Sequence, residues 1–272
     1  MQNTTLELCN GVTIPRLGLG CYQLPDGPPA LHAVDYALEV GYRHLDTARM
    51  YGNESSVGEA VRNSFVPREE IFITTKLWND DHGYDRAITA CQESLNDLGL
   101  DYVDLYLIHW PVEDKRRDSW RALETLAEEG LCRAIGVSNY MPRHLEELLG
   151  ECRIRPAVNQ VEFSPYLFLE DLLTLCRAEQ IALEAYSPLT KGQRLGDPKL
   201  AEIAAECGRT PAQILIRWAL QHDLIVIPKA GRPEHILENF EVRDFTLSAE
   251  QMTRLNALDE GLRTSWDPTS QN

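Results

Sequence analysis

Short apolar runs alternate along this chain with longer segments in which apolar residues recur at a helical spacing. A short apolar run that is bounded by polar or turn residues is typical of a buried strand. From residue 16 onward there are eight such runs, at 16–21, 42–46, 71–76, 103–109, 133–137, 157–161, 181–186 and 224–228. The pattern therefore predicts eight strands.

The segments between these runs show the pattern of amphipathic helices. Three apolar faces stand out, formed by Ala87, Ile88, Cys91, Leu95 and Leu98, by Trp120, Leu123, Leu126 and Ala127, and by Leu145, Leu148 and Leu149. Two helix starts carry the capping-box pattern, Thr210 with Gln213 and Ser248 with Gln251, and Pro211 occupies the first helical position after Thr210. We therefore expect helices to cover the strands.

Strands that alternate with helices over about 250 residues favour an α/β fold of the (β/α)8 TIM-barrel type over an open doubly wound sheet. We expect one such domain over residues 1–272. Near the N-terminus, LELCNGVTIP alternates around Asn10-Gly11, which is a signal for a two-residue hairpin turn. This β-hairpin should cap the barrel bottom, and the chemistry should lie at the C-terminal ends of the strands.

The composition argues against nucleic acid and membranes as partners. Apolar residues make up 43% of the 272, and the formal charge of −16 repels nucleic acid and anionic membrane surfaces. The seven cysteines are scattered without a Cys-x-x-Cys pair, as is typical of reduced thiols. There is no signal-peptide pattern and no apolar run long enough to span a bilayer. We expect a cytoplasmic monomer with no metal, nucleic-acid or membrane partner.

Residues capable of proton chemistry follow three consecutive strand-like runs. Asp46 ends the second run and Tyr51 comes shortly after it, Lys76 ends the third and His109 ends the fourth. Each has an ordinary structural alternative: Asp46 as a turn cap, Tyr51 as a packing residue, Lys76 as a solvated cation and His109 as a buried, hydrogen-bonded histidine. Together they should converge at one rim of the barrel.

At one rim, these side chains would form a proton-donating site. A cation at Lys76 would lower the pKa of the Tyr51 phenol, and Asp46 would hold the ammonium in place. His109 could donate a hydrogen bond to a carbonyl oxygen and stabilise the charge that develops there. A carbonyl reduction requires these groups.

The sequence resembles the aldo-keto reductases, in particular bacterial members such as 2,5-diketo-gluconate reductase and aldehyde reductases. The resemblance extends in order from about residue 6 to about residue 268. It is carried by GLG (18–20), DTARMYGNE (46–54), KLW (76–78), DLYLIHWP (104–111), IGVSNY (135–140), NQVEFSPY (159–166), YSPL (186–189) and IPK (227–229). It implies reduction of aldehydes or ketones by a nicotinamide cofactor without a metal, with Tyr51 as proton donor, Lys76 and Asp46 as its activating pair and His109 as the substrate-orienting residue.

The resemblance also implies how the cofactor is held, although Gly18-x-Gly20 lacks the third glycine of a Rossmann fingerprint. Ser138, Asn139 and Gln160 match the residues that hold the carboxamide, and Tyr186 matches the residue on which the nicotinamide ring stacks. The other positions that the resemblance assigns to the cofactor are Ser187, Leu189, Lys229, Arg232, His235, Glu238 and Asn239.

The phosphate end departs from the family pattern. Ala230 stands where the family commonly has Ser, and His235 stands where it commonly has Arg. Lys229 is retained. Arg232 lies three residues after it, and its guanidinium could bind a phosphate in bidentate fashion. We expect NADPH as the cofactor, with NADH as the alternative.

Four aromatic residues match substrate-pocket positions: Tyr22, Trp78, Trp110 and Trp266. They favour flat or apolar carbonyl compounds over highly charged ones. The C-terminal segment that carries Trp266 could fold over the rim or form a frayed end.

Two other functions compete with carbonyl reduction. Lys76 could form a Schiff base, as in a lyase or aldolase. Alternatively, the protein could be a cofactor-sensing binding subunit that turns over slowly.

Overall fold

The fold is built on eight parallel strands within residues 4–270, the part of the chain that the computed structural model describes. The strands are β3 (Leu19–Gly20), β4 (His44–Asp46), β5 (Phe72–Leu77), β6 (Val103–Ile108), β7 (Cys132–Ser138), β8 (Val158–Glu162), β9 (Ala182–Tyr186) and β10 (Ile225–Val226). Each lies within or overlaps one of the eight apolar runs, and consecutive strands are neighbours in the sheet. The prediction of eight strands is therefore confirmed.

The first and last strands meet, so the sheet closes into a barrel. Leu17 and Val226 form a parallel bridge, and Gly20 and Lys229 form a second. The backbone N–H of Val226 donates to the carbonyl of Arg16 at 2.8 Å, which ties β10 to the residues just before β3. This closure confirms the (β/α)8 barrel and excludes the open doubly wound sheet.

Helices cover the outside of the barrel. Within the described residues they are α1 (Pro28–Val40), α2 (Glu54–Asn63), α3 (Tyr84–Leu98), α4 (Arg116–Glu128), α5 (Pro142–Glu151), α6 (Glu170–Ala178), α7 (Pro198–Cys207), α8 (Pro211–Gln221), α9 (Pro233–Phe240) and α10 (Ala249–Asn256). The predicted capping boxes begin α8 and α10, where the Thr210 and Ser248 hydroxyls accept from the backbone N–H groups of Gln213 and Gln251. The sequence therefore identified these two helix starts correctly.

The N-terminal hairpin pairs β1 (Thr5–Glu7) with β2 (Thr13–Pro15). Its turn was predicted to contain two residues, and this detail is wrong. The N–H of Leu8 donates to the carbonyl of Val12, which leaves three residues in the loop, and Gly11 takes the left-handed conformation with a φ of 82°. The amide of Asn10 donates to the carbonyl of Arg133 at the amino end of the barrel, so the hairpin caps the bottom as expected.

The core has two layers. The larger one lies between the strands and the helices, whereas a smaller apolar cluster fills the bottom of the barrel. The smaller cluster contains Leu8, Ile14, Phe72, Leu105, Leu107, Ala134, Ala157, Val158 and Ile225.

Within residues 4–270, no helix is both long enough and apolar enough to cross a membrane.

Gly58 offers a test of the packing between α2 and α3. A β-carbon at Gly58 would overlap the backbone carbonyl of Leu98, which cannot rotate away, whereas one at Gly150 of α5 would meet nothing within 4 Å. We predict that Gly58→Ala destabilises the protein by about 2 kcal/mol because of overpacking. Gly150→Ala, the matched control, should stabilise it by about 0.5 kcal/mol through helix propensity. Urea unfolding of both variants measures this, and equal midpoints would contradict the packing.

Candidate active site

The strand ends bring the four predicted catalytic side chains together. Asp46 is the last residue of β4, Lys76 lies in β5 and His109 directly follows β6. Tyr51 ends a 3-10 turn, Arg49–Tyr51, that follows β4. All four therefore lie at the carboxyl end of the barrel, as predicted for one rim.

Lys76 is the centre of this cluster. Its fully buried ammonium Nζ donates to Asp46 Oδ1 at 2.6 Å, to the Thr47 carbonyl at 2.9 Å and to Tyr51 Oη at 3.2 Å. An ammonium has three hydrogens, and these contacts occupy all of them. The arrangement favours a fixed cation at Lys76 over the free amine that a Schiff base requires.

The pKa of Tyr51 differs from the expectation. Burial of the phenol and, after it, the negative charge of Asp46 hold the pKa of Tyr51 well above its usual value. The net direction is opposite to the lowering expected from Lys76, because burial and Asp46 outweigh the hydrogen bond that the ammonium donates to the phenol oxygen at 3.2 Å. Tyr51 thus carries its proton throughout the neutral range, and Lys76 donates a hydrogen bond to the phenol oxygen.

His109 presents a neutral imidazole beside the phenol. Burial, followed by the charge of Lys76, holds the pKa of His109 well below its usual value. Its ring centroid lies 5.7 Å from that of Tyr51 and 5.3 Å from that of Trp78, both in edge-on orientation. The ring is therefore fixed between two aromatic side chains, and at neutral pH it carries a single N–H.

A second polar network continues from this cluster across β7, β8 and β9. Gln160 Nε2 donates to Asp46 Oδ2 at 2.8 Å, and Ser138 Oγ donates to the Gln160 carbonyl at 2.8 Å. The amide of Asn139 donates to the His109 carbonyl at 3.0 Å and accepts from Tyr186 Oη at 2.9 Å. The predicted carboxamide residues are thus connected directly to the predicted catalytic residues.

Two neighbouring cavities open at this end of the barrel, with volumes of about 590 Å³ and 690 Å³. They share Leu189, Leu195 and Lys229. The first is lined by Asp46, Tyr51, His109, Tyr22, Trp110, Trp266, Ser138, Asn139, Gln160, Tyr186 and Ser187. The second is lined by Arg232, His235, Glu238 and Asn239. Lys76 is fully buried beneath the first cavity. Trp78 packs against two residues of the cavity lining, His109 and Trp266.

Basic side chains gather at the second cavity. Arg232 is exposed, contacts His235 Nε2 through its guanidinium and pairs with Glu234 at 3.4 Å. His235 Nδ1 lies 3.3 Å from Glu238 Oε2. The charge of Arg232 is therefore partly balanced by Glu234.

The C-terminal segment folds over the rim and is not frayed up to residue 270. Trp266 lies 5.5 Å from Trp110 and 6.5 Å from Trp78, between ring centroids. The buried carboxylate of Glu162 anchors this segment: it accepts from the backbone N–H groups of Thr264 at 2.7 Å and Ser265 at 3.2 Å, and from the Thr264 hydroxyl. Sequence analysis missed this role of Glu162; the available signal was an acidic residue directly after the apolar run 157–161, between Val161 and Phe163.

Sequence analysis also missed a buried pair inside the barrel. Glu184 and His44 are fully buried, with Oε1 and Nε2 3.6 Å apart. Burial and, after it, Asp46 raise the pKa of Glu184 to about 8, and burial lowers the pKa of His44 to about 3. Burial therefore favours the neutral form of both side chains. Over the described part of the chain, no group of three or more His, Cys, Asp and Glu side chains could hold a metal ion.

These features define a class of protein: a (β/α)8 barrel with a buried polar cluster around Lys76 at the carboxyl ends of its strands. The sequence pattern of the Aldo/keto reductase family matches residues 16–260. The chain therefore belongs to the aldo/keto reductase family and is a carbonyl-reducing oxidoreductase.

Individual relatives resemble the chain over nearly its full length. The glyoxal reductase of Bacillus subtilis (strain 168) is 47% identical over 264 residues, which cover 97% of this chain and 96% of the relative. The crystal structure of MGS-M4, an aldo-keto reductase from a Medee basin deep-sea metagenome library, superimposes with a TM-score of 0.94 at 45% identity and covers 96% of this chain and 97% of the other. A Bombyx mori aldo-keto reductase, solved in complex with NADP, superimposes with a TM-score of 0.90 at 37% identity. The match covers 97% of this chain and 95% of the other.

The anchoring of the C-terminal segment can be tested by hydrogen exchange. We predict that Glu162→Ala speeds amide exchange in residues 262–270 by about tenfold or more, because hydrogen bonds to a charged acceptor are lost. Mass spectrometry of the corresponding peptide measures this. Peptides from β6 should remain protected, which separates local release from global unfolding, and exposed Glu250→Ala is the control. Unchanged exchange in residues 262–270 would show that Glu162 is not the anchor.

Proposed function

We propose that this protein reduces aldehydes or ketones to alcohols with NADPH and that Tyr51 is the proton donor. The observation that carries this proposal is the contact of one buried ammonium, Lys76 Nζ, with both Asp46 and Tyr51 Oη directly beneath the first cavity and its aromatic side chains. A protonated phenol at the floor of a cavity is suited to deliver a proton to a substrate oxygen.

The two cavities fit a nicotinamide dinucleotide. The first offers the amides of Asn139 and Gln160 and the hydroxyl of Ser138, which match the donors and acceptors of a carboxamide, and the Tyr186 ring offers a stacking surface. The second offers Lys229 and Arg232 for phosphate. The cofactor, when bound, supplies the hydride that reaches the carbonyl carbon.

The protein's own part in the reaction is to orient and protonate. The neutral His109 donates a hydrogen bond to the carbonyl oxygen and holds it near Tyr51. Tyr51 then transfers its proton to this oxygen as negative charge develops on it. Lys76 stabilises the resulting phenolate through its existing hydrogen bond, and Asp46 keeps the ammonium in position.

NADPH is the proposed cofactor, with NADH as the alternative. Arg232 and Lys229 supply cationic groups around the second cavity, His235 adds an imidazole beside them, and a guanidinium suits a phosphate in bidentate geometry. The NADP in the Bombyx mori relative supports this assignment. Ala230, which replaces the serine of the family pattern, is buried and adds no hydrogen-bonding side chain.

The proposed substrates are flat or apolar carbonyl compounds. Tyr22, Trp110 and Trp266 form aromatic walls of the first cavity, and Trp78 supports His109 and Trp266 from the side. Glyoxal, the substrate named for the Bacillus subtilis relative, is a small dicarbonyl compound and belongs in the first assays. The single domain over 1–272, the monomeric state and the cytoplasmic location stay predictions.

The role of a cofactor-sensing subunit is not favoured. Nothing in the described residues impairs the proton-donating cluster, and the relatives that match the chain over nearly its full length are named as enzymes.

Tyr51→Phe tests the proton donor. We predict that this variant loses about a hundredfold or more in kcat for carbonyl reduction, because only the proton source is removed, and that it keeps its affinity for NADPH within a few-fold. Absorbance at 340 nm follows turnover, and fluorescence titration follows binding. Tyr84→Phe, which removes an exposed hydroxyl on α3, should behave as wild type. Full activity in Tyr51→Phe would refute the assignment.

Arg232→Gln tests the cofactor preference. If Arg232 binds the 2′-phosphate, the variant should raise the Michaelis constant for NADPH by about tenfold and leave that for NADH nearly unchanged. Exposed Arg121→Gln on α4, which removes the same charge elsewhere, is the control. A rise of equal size with both cofactors would contradict the role of Arg232.

A further inference from the structure

Glu184 is a carboxyl group inside the barrel to which the reaction described above assigns no role. It lies in the middle of β9, where it is paired in register with Gln160 of β8 and with Ile225 of β10. Its side chain is fully buried and lines neither of the two cavities at the carboxyl end of the barrel. Any effect of Glu184 on the reaction must therefore pass through other side chains.

The surroundings of Glu184 include the charged groups of the proposed active site. From β4 it faces His44, whose Nε2 lies 3.6 Å from Glu184 Oε1, and Asp46, whose negative charge acts on its carboxyl group. From β5 it faces the ammonium of Lys76, and its own charge acts in turn on the phenol of Tyr51. Its register partners on β8 and β10 are uncharged. Glu184 is therefore electrostatically coupled to the proton donor and to its supporting ion pair.

One buried ammonium, that of Lys76, lies near two buried carboxyl groups, those of Asp46 and Glu184. Asp46 receives the donors, because Lys76 Nζ contacts its Oδ1 at 2.6 Å and Gln160 Nε2 contacts its Oδ2 at 2.8 Å. By contrast, neither oxygen of Glu184 has a hydrogen-bond partner within residues 4–270. Donated hydrogen bonds stabilise a carboxylate, whereas a buried charge without them is costly. The geometry therefore favours the negative charge on Asp46 and a proton on Glu184.

The pKa shifts agree with this placement of the proton. Burial and, after it, the charge of Asp46 raise the pKa of Glu184 to about 8. The pKa of Tyr51 lies well above its usual value, and that of His109 lies well below its usual value. A transition near pH 8 is therefore expected from Glu184 and not from these two residues.

We propose that Glu184 is a positioning residue for the reduction: its carboxyl group carries a buried proton, and loss of that proton to the solvent opposes formation of the Tyr51 phenolate. This inference rests on the proposed function, in which Tyr51 gives up its proton to the substrate oxygen. An ionised Glu184 would place a second negative charge near the developing phenolate and would compete for the charge of Lys76. Reduction should therefore slow as the pH rises through the range in which Glu184 ionises, although Tyr51 still carries its proton.

Infrared spectroscopy of the full-length protein without cofactor tests the buried proton. The wild type should show a carboxylic-acid C=O band from Glu184 at about pH 6 and should lose it as the pH rises through about 8. Glu184→Gln and the apolar Glu184→Leu should both lack this band, whereas exposed Glu250→Gln, the control, should keep it. Difference spectra between wild type and variant remove the contribution of other buried carboxyl groups, such as that of Glu54.

The pH dependence of turnover tests the effect on the reaction. In the wild type, kcat for carbonyl reduction at saturating NADPH should fall by about tenfold between about pH 7 and about pH 9.5, as expected for one charge acting across a buried site. The fall should be less than about twofold in Glu184→Gln and Glu184→Leu, and Glu250→Gln should follow the wild-type profile. If Glu184 only held Gln160 in place, its variants would instead weaken NADPH binding in a fluorescence titration and keep the wild-type pH dependence.

Two outcomes would overturn the inference. One is an infrared spectrum at about pH 6 that is the same in the wild type and in both Glu184 variants. The other is an alkaline fall in kcat that persists in both variants. If Glu184→Gln fails to fold by circular dichroism, Glu184→Leu keeps the test decisive, because a well-packed apolar side chain often replaces a buried polar one without loss of stability. A wild type that shows the band but reduces no carbonyl compound would contradict the proposed function and not the buried proton.

Discussion

The buried ion pair between Lys76 and Asp46 is the interaction on which the site depends. Moving an ammonium and a carboxylate out of water is costly, and only close geometry with further hydrogen bonds compensates for it. Here the 2.6 Å contact is supplemented by the Thr47 carbonyl on one side and by Gln160 on the other. The closed barrel is what brings these groups from β4, β5 and β8 into contact.

This pair divides the barrel interior into two ends of different character. Below it, the hairpin and the strands bury an apolar cluster around Ile14 and Leu105. Above it, amides and hydroxyls line the cavity. Between them lie the buried His44 and Glu184, and burial favours their neutral forms because it raises the pKa of Glu184 and lowers that of His44. The same physical cause, loss of solvation, keeps the proton on Tyr51 and the imidazole of His109 neutral.

The charge distribution is as uneven as the polarity. The chain is acidic overall, yet Arg232 and Lys229 place two cations at the second cavity. Because the ionic atmosphere screens exposed charges beyond about 10 Å, the overall charge does not prevent an anion from binding there. The acidity of the chain is therefore compatible with the phosphate binding proposed for the second cavity.

The sequence by itself determined the strands, the covering helices and the residues at the strand ends, because the period of apolar positions and the capping boxes are local signals. It located Asp46, Tyr51, Lys76 and His109 at one rim for the same reason. Only the tertiary structure decided the pKa of Tyr51, the anchoring of the C-terminal segment by Glu162 and the burial of His44 beside Glu184. These depend on burial and on contacts between residues far apart in the chain, and no local pattern records either.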